Sequence, residues 1–308
     1  MKPIQTPHLP IATLTHPGET GKNNEDALYA GSFERETDNA LSVLAVVSDG
    51  IGGHLAGEVA ARVTIETVVQ TLQSTPGHDP IALLRYAVLE CGRAVSREAN
   101  QNPEYSGMGA TVAIAWVIGS RLFIAWVGDS RIYLRRRRSL LRLTTDHTWV
   151  QEALDHQIIT LDEAHQHPHA HVLRRHIGGD MEPVPDLRLR LSADETDEQA
   201  LAQQGLQLLP GDRLLLCTDG LTDLVNDHEI EEILRGRILQ ETVARLVDLA
   251  RARGGHDNIT TILLEIPPRK PSRLAGRALL AWSFLGTLAL VTLLAVGALA
   301  LFRFGLWP

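Results

Sequence analysis

The chain has 308 residues, which is enough for one large domain with a substantial core and an additional segment. Its formal net charge of −8 argues against nucleic acid as a partner, because nucleic-acid-binding proteins usually display a basic face. Of the two cysteines, Cys91 and Cys217, the second lies inside an apolar run. We therefore expect Cys217 to be a reduced core residue of a cytosolic domain.

The N-terminal segment 1–10 has prolines and no apolar stretch, so a secretory signal peptide is not expected there. Between residues 11 and 266, strand-like and helix-like segments follow one another. Apolar spacing predicts helices around 59–68, 82–95 and 243–250. Short apolar or β-branched runs predict strands at 41–47, 111–117, 122–127, 132–134, 213–217 and 260–266.

The order of these segments favours an α+β fold. Strands cluster as consecutive hairpins, which indicates antiparallel sheets flanked by helices and not a doubly wound parallel sheet. The strands at 122–127 and 132–134 are expected to form a hairpin around Gly128-Asp129-Ser130 or to continue beyond it. A four-layer sandwich would suit this order, although periodicity alone does not establish it.

Short motifs that place carboxylates beside turn-forming or small residues recur along the chain. They are Asn24-Glu25-Asp26, Asp49-Gly50-Ile51-Gly52-Gly53, Asp219-Gly220-Leu221 and Asp257-Asn258. Each Asp taken singly could cap a turn. Delivered together from several strand ends, carboxylates are the oxygen ligands that magnesium and manganese require, whereas they would repel phosphate alone. The set therefore predicts a hydrolytic metal centre.

Longer motifs surround these carboxylates in a fixed order between about residues 13 and 265. They are Asn23-Asn24-Glu25-Asp26, Val47-Ser48-Asp49-Gly50-Ile51-Gly52-Gly53-His54, Gly107-Met108-Gly109-Ala110-Thr111, Val127-Gly128-Asp129-Ser130-Arg131, Leu143-Thr144-Thr145-Asp146-His147, Cys217-Thr218-Asp219-Gly220-Leu221-Thr222-Asp223 and Gly254-Gly255-His256-Asp257-Asn258-Ile259-Thr260. Together they closely resemble the metal-dependent protein serine/threonine phosphatases of the protein phosphatase 2C type, bacterial branch. The resemblance implies a β-sandwich with two helices on each outer face and a two-metal site at one end of the sheets.

The resemblance also implies roles for the carboxylates. Asp49 would bridge two Mn²⁺ or Mg²⁺ ions, the Gly50 carbonyl would bind the first, and Asp219 and Asp257 would complete the ligands of the second. Two such ions about 3.5–4 Å apart acidify a water and offset charge on a phosphoryl group, so no protein nucleophile is needed.

Three further carboxylates have implied roles at the same centre. Glu25 and Asp26 would hold metal-bound waters. Asp129 would bind a third, weaker ion together with Asp219.

Two positions depart from the usual pattern of the family. Gly21 stands where many members carry an arginine that grips the substrate phosphate; the adjacent Lys22 is a candidate that attracts phosphate only as a point charge. Ile51 stands where eukaryotic members have a histidine, so a metal-bound water could serve as the general acid. His54 is a second candidate, although a structural role is favoured for it.

One histidine-rich and one arginine-rich stretch each have a structural and a functional interpretation. The family has a mobile flap at about 146–193, and here it contains His165, His167, His169, His171 and His176. These could bind zinc or copper, but exposed flap histidines are the favoured interpretation. The run 135–138 of four arginines could contact anionic lipid, whereas a solvated hairpin turn is favoured.

The segment 278–302 has 25 consecutive uncharged residues. As a helix it would be roughly 37 Å long, enough to cross a hydrocarbon core of about 30 Å, although a buried core helix is the alternative. A Pro-rich, basic stretch at 267–277 precedes it as the expected linker, and 303–308 would form a short tail outside the membrane. Four basic residues precede the span and one follows it, which places the domain 1–266 in the cytoplasm: Arg269, Lys270, Arg273, Arg277 and Arg303.

The chain is thus expected to be a single-pass protein of the bacterial inner membrane that acts in signal transduction. It would hydrolyse phosphoserine and phosphothreonine on proteins by direct attack of a metal-activated water, and a serine/threonine kinase and its substrates would be its partners. One alternative is a membrane-tethered pseudophosphatase that binds a phosphorylated partner, which Gly21 keeps open. A small-molecule phosphohydrolase is another.

Overall fold

The computed structural model describes residues 1–4, 7–52, 55–75, 77–164 and 167–267, together with residue 303. The strands are β1 Lys2–Ile4, β2 Ile11–His16, β3 Ala27–Glu34, β4 Leu41–Ser48, β5 Gly50–Ile51, β6 Gly109–Ala110, β7 Val112–Ile118, β8 Arg121–Val127, β9 Arg131–Arg136, β10 Ser139–Arg142, β11 Ile177–Gly178, β12 Leu206–Gln207, β13 Arg213–Cys217 and β14 Ile259–Glu265. The helices are α1 Leu55–Ser74, α2 Pro80–Gln101, α3 Trp149–Asp155, α4 Leu161–Ala164, α5 Asp197–Ala202, α6 Asp219–Thr222, α7 Asp227–Ile233 and α8 Leu239–Ala252.

The strands of the described part form two large sheets and one small one. The first large sheet has the order β1-β3-β4-β7-β8-β12 and the second has the order β10-β9-β13-β14-β2. The small sheet has the order β11-β6-β5. Neighbouring strands are antiparallel throughout, which confirms the predicted antiparallel α+β architecture.

Alternate side chains of β4 pack in two different hydrophobic cores, which shows how the sheets are layered. Val43, Ala45 and Val47 pack in the core between the two large sheets, whereas Leu44 and Val46 pack in the core under α1 and α2. Successive strand residues point to opposite faces, so a strand covered on both faces is apolar throughout. On the far side, α7 and α8 cover the second sheet. The layers therefore run helix, sheet, sheet, helix.

Local sequence explains where α2 begins. Asp79 accepts a hydrogen bond from the Ile81 amide at 2.9 Å, and Pro80 occupies the first helical position. Both features favour a helix N-terminus, because the cap satisfies a free amide and proline has none to lose.

The predicted hairpin around Gly128-Asp129-Ser130 is wrong. β8 belongs to the first large sheet and β9 to the second, so the chain crosses between sheets at this point. Gly128 has φ +109°, a conformation that lets the strand turn away from its neighbour. The arginine run does form a hairpin turn, with Arg137 and Arg138 between β9 and β10.

Several sequence predictions concern residues that the structure does not describe. Apart from Pro267 and Arg303, the predicted linker, membrane span and tail lie outside the described residues, and so do His54 and His165. Among the helices that the structure describes, none has the length and apolar character needed to cross a membrane.

Candidate metal centre

The predicted carboxylates meet at one end of the two large sheets. Strand register brings this about: Ala27 at the start of β3 pairs with Ser48 at the end of β4, and Cys217 at the end of β13 pairs with Thr261 near the start of β14. Antiparallel neighbours place the end of one strand beside the start of the next. Carboxylates flanking these strand ends are Asp26, Asp49, Asp219 and Asp257.

These side chains surround one cavity of about 500 Å³. The predicted site residues that line it are Lys22, Glu25, Asp49, Gly50, Asp129, Asp219 and Asp257. Asp26 does not line the cavity, and its Oδ2 accepts a hydrogen bond of 2.9 Å from the Thr218 hydroxyl. The structure thus brings the candidate residues together at one place.

The carboxylates hold one another in an unfavourable electrostatic state. Burial and repulsion from Asp26 and Asp219 raise the pKa of Asp49 well above its usual range. Burial also raises the pKa of Asp26 to about 7 and that of Asp219 to about 6, with repulsion from Asp257 adding to both. Divalent cations would relieve this desolvation and repulsion together.

Among the buried side-chain atoms of the described part that lack a hydrogen-bond partner, two are carboxylate oxygens, Asp26 Oδ1 and Asp219 Oδ1. Unpaired buried carboxylate oxygens are costly, and a cation is one way to satisfy them. The nearby guanidinium of Arg131 is already engaged, since it donates to Asp146 at 2.7 Å. An all-oxygen set of this kind fits Mn²⁺ or Mg²⁺.

The close packing of backbone around position 50 requires a glycine there. A Cβ there would lie 2.1 Å from the Gly57 carbonyl oxygen and 2.7 Å from that of Glu25. Only glycine lets these backbone segments approach so closely. The tight packing fixes the chain directly after Asp49.

Asn258 ties the N-terminal loop to the centre, a role that the sequence did not reveal. Its Oδ1 accepts a hydrogen bond of 2.7 Å from the Glu25 amide. Its Nδ2 donates to the carbonyls of Pro17 at 3.0 Å and Asn23 at 3.1 Å. The small polar residue next to Asp257 was visible in the motif, but its three partners lie far away in sequence.

The flap histidines do not gather into one cluster in the described part. His167 stacks on Trp149 at 4.5 Å between ring centroids, and His169 meets the same ring edge-on at 5.4 Å. His171 instead approaches Asp223, and His176 lies beside the Ile177 carbonyl. A zinc or copper site made of this stretch alone is therefore not formed by its described members.

The flap contacts the centre through the small sheet. β11 pairs with β6, and β6 pairs with β5, which begins at Gly50. His171 and His176 both line the cavity. Lys22 is exposed at the same cavity, and the preceding Gly21 has φ +72° with open space where a side chain would stand.

Fold and site together define a four-layer α+β protein with a carboxylate-lined centre suited to divalent cations. The family model described as "Protein phosphatase 2C" matches residues 16–263. The chain belongs to the protein phosphatase 2C family.

Among its relatives is the serine/threonine protein phosphatase PstP of Mycobacterium tuberculosis, 35% identical over 258 residues. The match covers 84% of this chain but 45% of PstP, so the chain spans less than half of that relative. Serine/threonine phosphatase stp of Listeria monocytogenes is 32% identical over 82% of this chain and 93% of its own length. A solved structure of the PstP catalytic domain with two manganese ions has a TM-score of 0.68 and 33% identity, covering 84% of this chain and 99% of that one.

Proposed function

We propose that this protein hydrolyses phosphoserine and phosphothreonine on proteins at a binuclear Mn²⁺ or Mg²⁺ centre. The observation that carries the proposal is the convergence of Asp49, Asp219 and Asp257 on one cavity. The relatives named as serine/threonine phosphatases, and the two manganese ions of the PstP structure, support the same assignment.

Each carboxylate has a defined place in this proposal. Asp49 would contact both ions, and Asp219 and Asp257 the second, while the Gly50 carbonyl binds the first. Glu25 and Asp26 hold the water molecules around the ions. When bound, the two cations acidify a water for attack and offset charge on the phosphoryl group.

No protein nucleophile is required. Cys91 and Cys217 are both free and buried, and neither lines the cavity. Burial raises the pKa of Cys217 to about 12, so this thiol stays protonated and non-nucleophilic at neutral pH. The exposed Lys22 attracts the substrate phosphate to the cavity entrance as a point charge.

Attachment to the inner membrane is part of the same proposal. The uncharged segment 278–302 has the length of a membrane span, and the basic residues before it favour a cytoplasmic catalytic domain. Kinases and their substrates at that membrane would be the natural partners. Removal of residues 272–308 should move the protein from the membrane fraction to the supernatant; continued sedimentation with membranes would contradict the anchor.

A pseudophosphatase is the second candidate, favoured by one observation. Gly21 occupies the position at which many family members bind the substrate phosphate with an arginine, and it provides no guanidinium there. Its positive φ also disfavours a residue with a side chain at this position. Such a protein would bind its phosphorylated partner without turnover.

Phosphate release from a phosphothreonine peptide separates these functions. Full-length protein in mild detergent is titrated with Mn²⁺ and then with a chelator, beside Asp219→Asn and with a nucleoside monophosphate as a second substrate. Metal-dependent release from the peptide, absent in the variant, is the expected result. Metal binding without release would favour the pseudophosphatase, and faster release from the nucleotide would favour a small-molecule enzyme.

A further inference from the structure

The arginine-rich turn between β9 and β10 lies at the end of the domain opposite the metal centre. β9 runs away from the metal centre and ends at Arg136, and its antiparallel neighbour β13 begins beside it at Arg213. β14 ends at Glu265 on the same side, and the domain ends at Pro267. We call this the distal end, meaning these strand ends and the turns next to them.

Hydrogen bonds connect the last residues of the domain to the arginine-rich turn. The Ile266 amide donates to the Asp212 carbonyl at 2.9 Å. The Asp212 carboxylate in turn accepts a hydrogen bond of 2.6 Å from the Arg136 guanidinium. Arg137 and Arg138 follow directly and form the turn. The turn is therefore held beside the point where the chain leaves the domain.

Unpaired positive charge gathers at the distal end. Three carboxylates there already pair with arginines, namely Asp212 with Arg136, Glu265 with Arg213 and Glu231 with Arg235. Four further arginines are exposed and form no ion pair with the described residues: Arg121, Arg137, Arg138 and Arg237. Exposed Glu36 and Glu232 on adjoining segments offset part of this charge. The remaining positive charge is free to bind an anionic partner.

Contacts with the distal strand ends fix the places of Arg121 and Arg237. Arg121 on β8 pairs with Gln207 on β12, and the Gln207 carbonyl accepts a hydrogen bond of 2.9 Å from Arg136. Arg237 follows the loop after α7, whose carbonyls accept hydrogen bonds from the Arg213 guanidinium. These arginines and the turn thus lie on segments that are bonded to one another at the distal end.

Two exposed apolar side chains accompany the arginines. Leu209 is 39% exposed, and its amide donates a hydrogen bond of 2.7 Å to Asp212 Oδ2. Ile238 is 54% exposed and directly follows Arg237. Single exposed apolar residues are common on protein surfaces. Beside arginines, however, they resemble the mixed basic and apolar surfaces that bind the membrane interface.

We propose that the distal end lies against the anionic headgroups of the membrane, so that the metal centre faces the cytoplasm. The inference rests on the membrane attachment in the proposed function. Residues 267–277, which join the domain to the proposed span, reach at most roughly 40 Å when fully extended, so the headgroups stay within reach. This permanent proximity favours a lipid surface over an acidic protein, because tethering gives the membrane a high effective concentration. The basic residues of the same stretch would meet the same headgroups.

Quenching of a fluorescent label by lipid headgroups tests this orientation. Full-length protein carrying Ser139→Cys at the arginine-rich turn is labelled at the new thiol, since Cys91 and Cys217 are buried. It is inserted into preformed vesicles that contain a nitroxide quencher in the headgroup region. Quenching should be about twofold or more stronger with phosphatidylglycerol present than with phosphatidylcholine alone, because anionic lipid attracts arginines. A label at Thr20→Cys, in the loop that leads to the metal centre, should be quenched weakly and equally in both.

Replacing the two turn arginines should remove the effect. Arg137→Gln combined with Arg138→Gln should reduce quenching at Ser139 to the phosphatidylcholine level, because each arginine strengthens attraction to an anionic surface about fivefold. Arg97→Gln combined with Arg175→Gln is the matched control, since these exposed residues on α2 and on the flap remove the same charge elsewhere and should leave quenching unchanged. High salt should weaken the quenching of the labelled protein without these substitutions. Phosphate release should persist when the turn arginines are replaced, which shows that this variant is folded.

Equal quenching at Ser139 with the two lipids overturns the inference, and so does undiminished quenching when Arg137 and Arg138 are replaced. Stronger quenching at Thr20 than at Ser139 would place the metal centre toward the membrane and overturns it too. Protein that floats with neither kind of vesicle lacks the anchor, which overturns both the membrane attachment and this inference. Phosphate release from the phosphothreonine peptide, measured in the same samples, decides the hydrolytic activity independently.

Discussion

Two hydrogen bonds join Asp49 to Thr111, a residue 62 positions further along the chain. The Asp49 amide donates to Thr111 Oγ1 at 3.0 Å, and the Thr111 amide donates to the Asp49 carbonyl at 2.8 Å. Thr111 Oγ1 also lies 2.7 Å from Ser130 Oγ, directly after Asp129. This hydroxyl therefore fixes the backbone of Asp49 independently of any cation and links it to the neighbouring carboxylate.

Thr111→Val should weaken the centre without changing its carboxylates. Valine has nearly the same shape but leaves the Asp49 amide without its acceptor, which should lower the free energy of unfolding by about 1–3 kcal/mol. We also expect about tenfold weaker Mn²⁺ binding, as for other residues that orient metal ligands. Chemical denaturation and calorimetry measure both effects. Thr111→Ser keeps the hydroxyl and should remain near the wild type; equal losses in the two variants would contradict this role.

Asp49→Asn should abolish phosphate release and yet stabilise the metal-free protein. The amide removes a buried charge that Asp26, Asp219 and Asp129 repel, whereas it cannot replace the carboxylate toward cations. Thermal unfolding in excess chelator should show a higher melting temperature than the wild type. With saturating Mn²⁺ the wild type should have the higher melting temperature, because only the wild type gains the full free energy of metal binding. A variant with near-normal turnover would contradict the metal assignment.

Manganese binding should release protons in mildly acidic solution. The pKa of Asp26 is raised to about 7 and that of Asp219 to about 6, from an ordinary value of 3.8. The metal-free folded protein thus keeps protons that the unfolded chain has lost, so its stability falls as the pH rises from about 4 to about 7. Binding needs the carboxylates and should strengthen over the same window. Calorimetry in buffers of different ionisation enthalpy should find that fewer protons are released per bound Mn²⁺ at pH 8 than at pH 6, because Asp26 and Asp219 lose their protons between these values; equal proton release at the two pH values would refute the coupling.

Short-range patterns were sufficient to predict the antiparallel α+β architecture and the carboxylates that meet at the cavity, whereas the layered sandwich was implied by the family resemblance. β13 was predicted with its observed bounds, because its five residues are all buried and four of them, Leu214 to Cys217, form an apolar run. The Asp-Gly motifs predicted the site because a strand end and the carboxylate that follows it can both be recognised within a short stretch of sequence. Antiparallel order then brings those ends together.

Long-range pairings could not be predicted in the same way. Thr111, Thr218 and Asn258 each contact a partner that lies 62 or more positions away, namely Asp49, Asp26 and Pro17, and no periodicity in the sequence reports such contacts. The crossing at Gly128 looked like a hairpin, since a turn between two strands does not tell which sheet the second one joins. The place of His171 beside Asp223 depended on the path of the flap.

Lys22→Ala should raise the KM for a phosphopeptide about two- to fivefold and leave kcat nearly unchanged. An exposed point charge contributes about 0.2–1 kcal/mol to the attraction of phosphate, and it acts before the chemical step. Lys22→Arg should keep the low KM, and Lys2→Ala, on β1 and outside the central cavity, is the matched control. The difference should shrink at high salt, where exposed charges are screened. A fall in kcat with unchanged KM would assign Lys22 a different role.

Gly220→Ala should damage the centre through backbone contact alone. A Cβ at this position would lie 2.0 Å from the Asn258 carbonyl oxygen, so α6 and the turn that carries Asp257 would have to separate. We expect the free energy of unfolding to fall by about 1–3 kcal/mol, as for other overpacked sites. Mn²⁺ affinity should fall with it, since Asp219 and Asp257 move apart.

Gly119→Ala is the control that distinguishes the effect of the contact at Gly220 from the general effect of replacing a glycine. Gly119 has φ +60° and open space around it, in the turn between β7 and β8. Alanine there should destabilise the fold by about 1–2 kcal/mol through backbone strain, with Mn²⁺ affinity unchanged. Thermal unfolding and calorimetry on both variants decide the matter. If Gly220→Ala binds Mn²⁺ as tightly as Gly119→Ala, close approach of α6 to the Asp257 turn is not what shapes the centre.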